Sequence, residues 1–331
     1  MSNIARPFIP WVGGKEKLVP YVRQVFPDNV SQYLEPFGGG GAVLLSLPPN
    51  PKRLDIYNDL DSELVNLFLC VRERTNALLR ELKFLPIHSR VTFERYRDFL
   101  EHKEVTMNNI LSEMEVLNDR ECFTEEQAAE LMPIFKERME LYDVQRAAAF
   151  YNCIRGSFSG TMNSFGVKAF DVERFLYLIS AASVRLKDVV IENKNALDII
   201  HERDRPNGLI YCDPPYYQSE KMYRVACKRN FHIRLWKKLS ACRGYVVISY
   251  NDCPFIRQLY QDFYILAFER NNPLAQKKDA VYGELIITSF DPRPYMTSQF
   301  TLFAPDQESK QELRLVHIPD QEIRRKNNER I

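Results

Sequence analysis

At 331 residues, with 45% hydrophobic and 12% aromatic content, the chain carries enough apolar material for one large domain or a domain with a sizeable insertion. Lys and Arg number 45 against 44 Asp and Glu, a formal net charge of +1, so the whole-chain balance argues neither for nor against a polyanionic partner. No run approaches the roughly eighteen apolar residues of a spanning helix, and the N-terminal MSNIARPFIPWVGGK lacks a signal-peptide apolar stretch.

The cysteines, seven in number and without C-x-x-C spacing, suit small buried hydrophobes in a reducing compartment, which makes a cytoplasmic location the default expectation. The histidines show no H-x-x-x-H or Cys/His grouping, so a protein-bound metal is not expected.

In chain order, SQYLEPFGGGGAVLLSL reads as a strand ending at Glu35, a Gly-rich turn over residues 38 to 41, and a helix beginning at Ala42. RLDIYNDLDSELVNLFLCVRE repeats that grammar, with a strand near Leu54 to Tyr57 and then a helix with Leu64, Leu67, Phe68 and Val71 on one face. Two such units predict a parallel sheet with crossover helices. From about Thr75 to Phe150 the segments turn long, amphipathic, charged and glycine-free, which reads as a helical insertion. The α/β grammar resumes with VVIENKNALDII, GLIYCDPPYY, GYVVISYND and ELIITSF. From about Asp306 the tail is charge-rich and expected to be partly ordered.

In open α/β sheets ligands bind outside the carboxyl ends of strands, so Gly38 to Gly41, Asp59, Asn195 and Asp213 are expected on one rim. The turn PFGGGGAVLL has neither the Lys-Ser/Thr ending of a phosphate loop nor G-x-G-x-x-G spacing, which points to a nucleoside without a pyrophosphate. Asp59 stands where such folds put a carboxylate on ribose hydroxyls; its alternative is a helix cap, for which Asn58 and Asp61 compete.

Three motifs occur in order: Pro7-Phe8-Ile9-Pro10-Trp11-Val12-Gly13-Gly14-Lys15, Glu35-Pro36-Phe37-Gly38-Gly39-Gly40-Gly41, and Asp213-Pro214-Pro215-Tyr216. With these the chain resembles the Dam-like DNA adenine N6-methyltransferases, the alpha group of amino-methyltransferases, over most of residues 6 to 290. The resemblance implies a Rossmann-like S-adenosylmethionine-dependent α/β methyltransferase sheet with a mostly helical target-recognition insertion. Residues 1–74 and 169–300 would form the catalytic domain, 75–168 the insertion and 301–331 the charged tail.

It further implies S-adenosylmethionine as cofactor, with Trp11 and Lys15 nearby, Glu35, Pro36 and Phe37 leading into the Gly38–Gly41 turn under its methionine part, and Asp59 on its ribose. Asn195, with Ala196, stands where the family often has an acidic residue near the cofactor adenine, and Asp198 is the alternative.

The Asp213-Pro214-Pro215-Tyr216 corner has a physical rationale. The lone pair of an adenine N6 amine is delocalised into the ring, and both of its N–H groups can donate. Asp213 and the Pro214 carbonyl, accepting both protons, would direct that lone pair at the methyl group. The prolines lock the carbonyl, and Tyr216 offers a face for the base. The target must leave the duplex stack to reach such a corner. Cytosine methyltransferases usually begin this motif with Ser, so adenine is preferred.

Candidate DNA contacts are Asn152, Arg155, Ser157, Asn163 and Lys168 in YNCIRGSFSGTMNSFGVK, Lys221, Arg224 and Lys228 after the corner, and Lys277 and Lys278 in RNNPLAQKKDAVYG. The expected partner is double-stranded DNA, with no membrane; a cognate restriction endonuclease is one open setting, and a monomer is the default. An RNA adenine methyltransferase and a catalytically inactive DNA-binding regulator of the same fold are the competing readings.

Overall fold

The computed structural model describes residues 5–11, 13–84, 89–119, 122–157, 160, 162, 164–166, 172–217, 228–271, 281–296 and 312–320. The chain divides into two compact units, one made of 1–4, 13–60 and 188–331, the other of 5–12 and 61–187.

The first unit is built on one eight-stranded sheet. Its strands are β1 (Gln32–Glu35), β2 (Leu54–Asn58), β3 (Val190–Glu192), β4 (Gly208–Cys212), β5 (Tyr245–Asn251), β6 (Tyr264–Asn271), β7 (Val281–Thr288) and β8 (Arg314–His317). Their order is β3-β2-β1-β4-β5-β7-β6-β8. β1 lies parallel to β2 and β4, β2 to β3, and β4 to β5, while β5–β7, β6–β7 and β6–β8 are antiparallel.

Every residue of GLIYC in β4 is buried, as is every residue of QYLE in β1. Such continuous burial is what a parallel strand covered on both faces requires, and it explains why GLIYC reads as an unbroken apolar run. The order reverses between β1 and β4, and the carboxyl ends of strands on either side of that switch form the natural ligand crevice.

RLVH, inside the charge-rich segment, forms β8 and pairs with β6 across an irregularity at Ile265/Leu266. Its alternation of exposed and half-buried residues marks an outer strand.

In the second unit the helices are Ser62–Glu73, Thr75–Phe84, Arg90–Glu101, Lys103–Leu117, Glu125–Gly156 and Val172–Leu186. The apolar face of Ser62–Glu73 read from sequence is real, with Leu64, Leu67, Phe68 and Val71 all buried. That face packs against Glu125–Gly156 and Val172–Leu186, and the helix groups with them in the second unit. Asp61 caps the helix, its carboxylate accepting the amides of Glu63 (3.0 Å) and Leu64 (3.3 Å). The long helix starts at a capping box between Thr124 and Gln127.

Glu63 is 8% exposed and accepts Arg146 at 2.8 Å and Lys103 at 2.5 Å, tying Ser62–Glu73 to two other helices. Truncating one member of a buried charge cluster strands the others, so Glu63→Ala is expected to lower stability by about 2–3 kcal/mol, read as a fall in the urea midpoint at unchanged slope. No described helix is long and apolar enough to cross a membrane.

Candidate active site

The Gly-rich turn is packed from below by aromatic and carboxylate side chains. Tyr57 of β2 is fully buried and donates its phenol to the Gly39 carbonyl at 2.7 Å. A Cβ at Gly38 would stand 2.2 Å from Cε2 of that ring, so only glycine allows the turn to lie flat on Tyr57. Gly39 (φ 48°) and Gly41 (φ 67°) are left-handed, the conformation that favours glycine. Glu35, 2% exposed, accepts the Tyr33 phenol and the Leu44 amide, each at 3.1 Å. It therefore anchors the turn from inside the unit.

Asp59 accepts the Gly39 amide at 2.8 Å, while the residue that caps the following helix is Asp61. Asn58, with no exposure, donates to the carbonyls of Pro36 (2.8 Å) and Lys194 (3.0 Å) and accepts the Lys194 amide at 2.9 Å. One amide thereby fastens the ends of β1, β2 and β3 together. Sequence reading weighed Asn58 only as a helix cap. Asn195 is exposed and caps Ala196–Arg203 through the Leu197 amide (2.9 Å), with Ala196 buried behind it and Asp198 exposed at the third position of the first turn. Phe37 meets Phe231 edge-on at 6.1 Å.

At the end of β4, Asp213 is held by two donors on one oxygen: Lys15 Nζ at 3.0 Å and Ser249 Oγ at 2.8 Å. Since the Ser249 hydroxyl donates to Asp213, the Tyr211 phenol, 3.0 Å away, donates to Ser249. Burial, then the charge of Asp213, pushes the Tyr211 phenol far above its ordinary value and keeps that donor protonated.

Lys15 is 7% exposed, and its ammonium also lies 4.0 Å from the centroid of the Tyr216 ring. Tyr216 is 9% exposed and donates to Glu284 on β7 at 2.8 Å. Burial, then Asp213 and Glu284, raises this phenol well above its usual value too. The less buried neighbour, Tyr217, packs on Phe255 (4.5 Å) and His232 (5.6 Å), and its carbonyl accepts Asn251 Nδ2 at 3.3 Å.

Sequence reading missed Ser249, Asn251 and Glu284. A signal existed for one of them: β2 and β5 both end in Tyr-Asn and are followed directly by Asp, at residues 57–59 and 250–252. In each case the asparagine braces a neighbouring loop.

The chain matches the D12 class N6 adenine-specific DNA methyltransferase family over residues 11–272. The chain belongs to that family. As a D12 class enzyme it is an adenine-specific DNA methyltransferase, moving a methyl group from a donor to the N6 amine of adenine in DNA.

It is similar to Type II methyltransferase M1.LlaDCHI of Lactococcus lactis, 23% identical over 312 residues, which cover 86% of this chain and 95% of the relative. Type II methyltransferase M.MjaIII of Methanocaldococcus jannaschii is 25% identical over 312 residues, covering 86% and 99%. A DNA adenine methylase of Haemophilus influenzae is 36% identical over 78 residues, 24% of this chain and 26% of the relative.

Within this methyltransferase, the other candidate residues are placed as follows. Trp11 belongs to the second unit, where it packs on Phe150 at 6.3 Å. Asn152 is 6% exposed and donates to Ala148, and Ser157 is 9% exposed and donates to Ile154. Arg155 donates to the Phe8 carbonyl, and its guanidinium lies 3.5 Å over the Phe175 ring; burial lowers its pKa. Each of these three side chains donates inside its own unit, Asn152 and Arg155 from the last turns of the long helix and Ser157 from the residue that follows it. Lys228 is exposed and precedes the helix Arg229–Ser240. Asn163, Lys168, Lys221, Arg224, Lys277 and Lys278 lie outside the described residues.

Proposed function

We propose that the enzyme uses S-adenosylmethionine to methylate a flipped-out adenine at a specific site in duplex DNA, with Asp213, Pro214, Pro215 and Tyr216 forming the reaction corner. The observation that carries this reading is the fixed Asp213 carboxylate at the end of β4, gripped by Lys15 and Ser249 beside the sheet's switch point.

The residues present fit such a donor. The turn Gly38–Gly41 leaves no room for a Cβ at Gly38, which keeps its backbone low and accessible. Asp59 and Asp213 outnumber the single ammonium of Lys15, a donor set suited to a cationic sulfonium nucleoside and unsuited to a polyphosphate. The turn, Asp59 and the helix start at Asn195 would hold the methionine part, the ribose and the adenine respectively. When bound, S-adenosylmethionine supplies an electrophilic methyl group.

The chain's own groups do the rest. Asp213 and the Pro214 carbonyl accept the two N6 protons of the target adenine and hold its lone pair toward the methyl group. As positive charge develops on that nitrogen, the Asp213 carboxylate stabilises it and takes the departing proton. Pro214 and Pro215 restrict the backbone carrying the acceptor carbonyl. The Tyr216–Tyr217 pair borders the space a flipped base would enter.

The first unit is proposed as the catalytic domain, and the helical unit with the basic segments after the corner as the target-recognition part. The Type II names carried by relatives spanning nearly their whole length support a restriction–modification setting with a cognate endonuclease.

The test is transfer of labelled methyl from S-adenosylmethionine to bacterial genomic DNA free of N6-methyladenine, with the product base identified by mass and located by sequencing. N6-methyladenine at one recurring motif is the expected result; methylation confined to RNA would overturn it. The role of Asp59 is separable. Asp59→Ala is expected to raise KM for S-adenosylmethionine by about 10- to 100-fold with little change in KM for DNA, since it removes hydrogen bonds to the donor and loosens the Gly39 amide.

A further inference from the structure

We infer that Glu284 is a positioning residue for methyl transfer, acting through the Tyr216 hydroxyl from beneath the corner. This rests on the reading of Asp213 to Tyr216 as the reaction corner.

A carboxylate 2% exposed, preceding Leu285, Ile286 and Ile287, which have no exposure at all, is an anomaly in a strand. A buried charge is kept only where something compensates it. Here the Tyr216 phenol donates to it at 2.8 Å. The same Tyr216 ring lies under the Lys15 ammonium at 4.0 Å, and Lys15 reaches Asp213 at 3.0 Å. A continuous path thus runs from β7 to the proposed proton acceptor: carboxylate, phenol ring, ammonium, carboxylate.

A neutral acceptor at 284 could satisfy the phenol. A carboxylate does more: the charge-assisted bond is stronger and shorter, and it enriches the ring that the ammonium sits on. Both effects pin Lys15, and through it the plane of Asp213. The arrangement is reinforced from the neighbouring strand, because Glu284 lies directly opposite Asn251, the residue that donates to the Tyr217 carbonyl. The cross-strand pair Asn251–Glu284 therefore holds the far end of the corner at two successive residues, while Ser249 holds its near end.

The experiment measures single-turnover methyl transfer by the full chain on N6-methyladenine-free genomic DNA, with donor and DNA each varied. The variants are Glu284→Leu, Glu284→Gln, Tyr216→Phe and the double variants, and thermal midpoints are recorded alongside. Glu284→Leu is expected to lower the maximal rate on the order of 30-fold with KM for DNA unchanged, because it disturbs alignment and not binding. Glu284→Gln, which keeps an acceptor oxygen, should lose less than about 5-fold.

If Glu284 acts through the hydroxyl, Tyr216→Phe/Glu284→Leu is no slower than the worse single variant. Multiplicative losses, or a wild-type rate for Glu284→Leu, would overturn the inference.

Should Glu284→Leu fail to fold, Tyr216→Phe and Tyr216→Phe/Glu284→Gln decide. Replacing the carboxylate in the Phe background should cost no further rate, and a multiplicative loss on adding Glu284→Gln sinks the idea. Asp213→Ala in the same assay separates the two levels. If Asp213→Ala stays active, the corner reading itself fails; if Asp213→Ala is inactive and Glu284→Leu is not impaired, only the role of Glu284 fails.

Discussion

Asp213→Ala is expected to lower the single-turnover rate of methyl transfer on the order of 10³-fold, about 4 kcal/mol of transition-state stabilisation. The proposed carboxylate both accepts an N6 proton and faces the charge that builds on the nitrogen, so its removal costs most at the chemical step and little in DNA affinity. A second effect follows from the geometry. Lys15 is 7% exposed and bonded to Asp213 at 3.0 Å, so the alanine variant strands an ammonium against the Tyr216 ring and also loses stability, by about 1–3 kcal/mol.

Asp213→Asn separates the two contributions. Its amide oxygen can still accept from Lys15 and Ser249, so the fold should hold while the rate falls to a value between wild type and alanine. Stopped-time methylation and a thermal melt on all three proteins check this. A wild-type maximal rate in Asp213→Asn would remove the charge of Asp213 from the mechanism.

Gly38→Ala carries the second large effect. The added Cβ would stand 2.2 Å from Cε2 and 2.6 Å from Cδ2 and Cζ of Tyr57. Tyr57 cannot swing aside cheaply, because it is fully buried in β2 and bonded to the Gly39 carbonyl. Either the ring or the turn must move, and with the turn goes the Gly39 amide that Asp59 accepts. Overpacking of this kind costs about 1–3 kcal/mol. The displaced turn should raise KM for the methyl donor by about 10- to 100-fold while the maximal rate at saturating donor stays within about 3-fold of wild type. Equilibrium binding of S-adenosylmethionine by calorimetry is the direct check, and unchanged affinity would detach the turn from the donor. Tyr57→Leu in the Gly38→Ala background makes room for the Cβ and should recover part of the lost affinity.

Much of this organisation is legible in the sequence because its causes are local. A buried parallel strand needs an unbroken apolar run, as in Leu209–Cys212, and the polar residue that ends the run marks the sheet's carboxyl edge. Glycines in a strand-to-helix turn announce left-handed or crowded backbone, which the φ values of Gly39 and Gly41 and the Tyr57 contact of Gly38 bear out. The Asp213-Pro214-Pro215-Tyr216 corner, the Asp59 carboxylate and the order of motifs that marks the family are all readable without coordinates.

Tertiary structure alone decides what each candidate side chain is bonded to. Nothing in ELIITSF distinguishes a solvated glutamate from one buried beneath Tyr216, because its partner lies 68 positions away in the chain. The same holds for Ser249 under Asp213, for Asn58 tying Pro36 to Lys194, and for the burial of Asn152 near the end of the long helix and of Ser157 just after it. Tyr216, read from sequence as an open stacking face, proves to lie under the Lys15 ammonium, while Tyr217 is the more exposed ring. The division between what could and could not be read has one physical reason: periodicity and turn chemistry act over a few residues, whereas the pairing of buried polar groups is settled only when distant strands are brought into register.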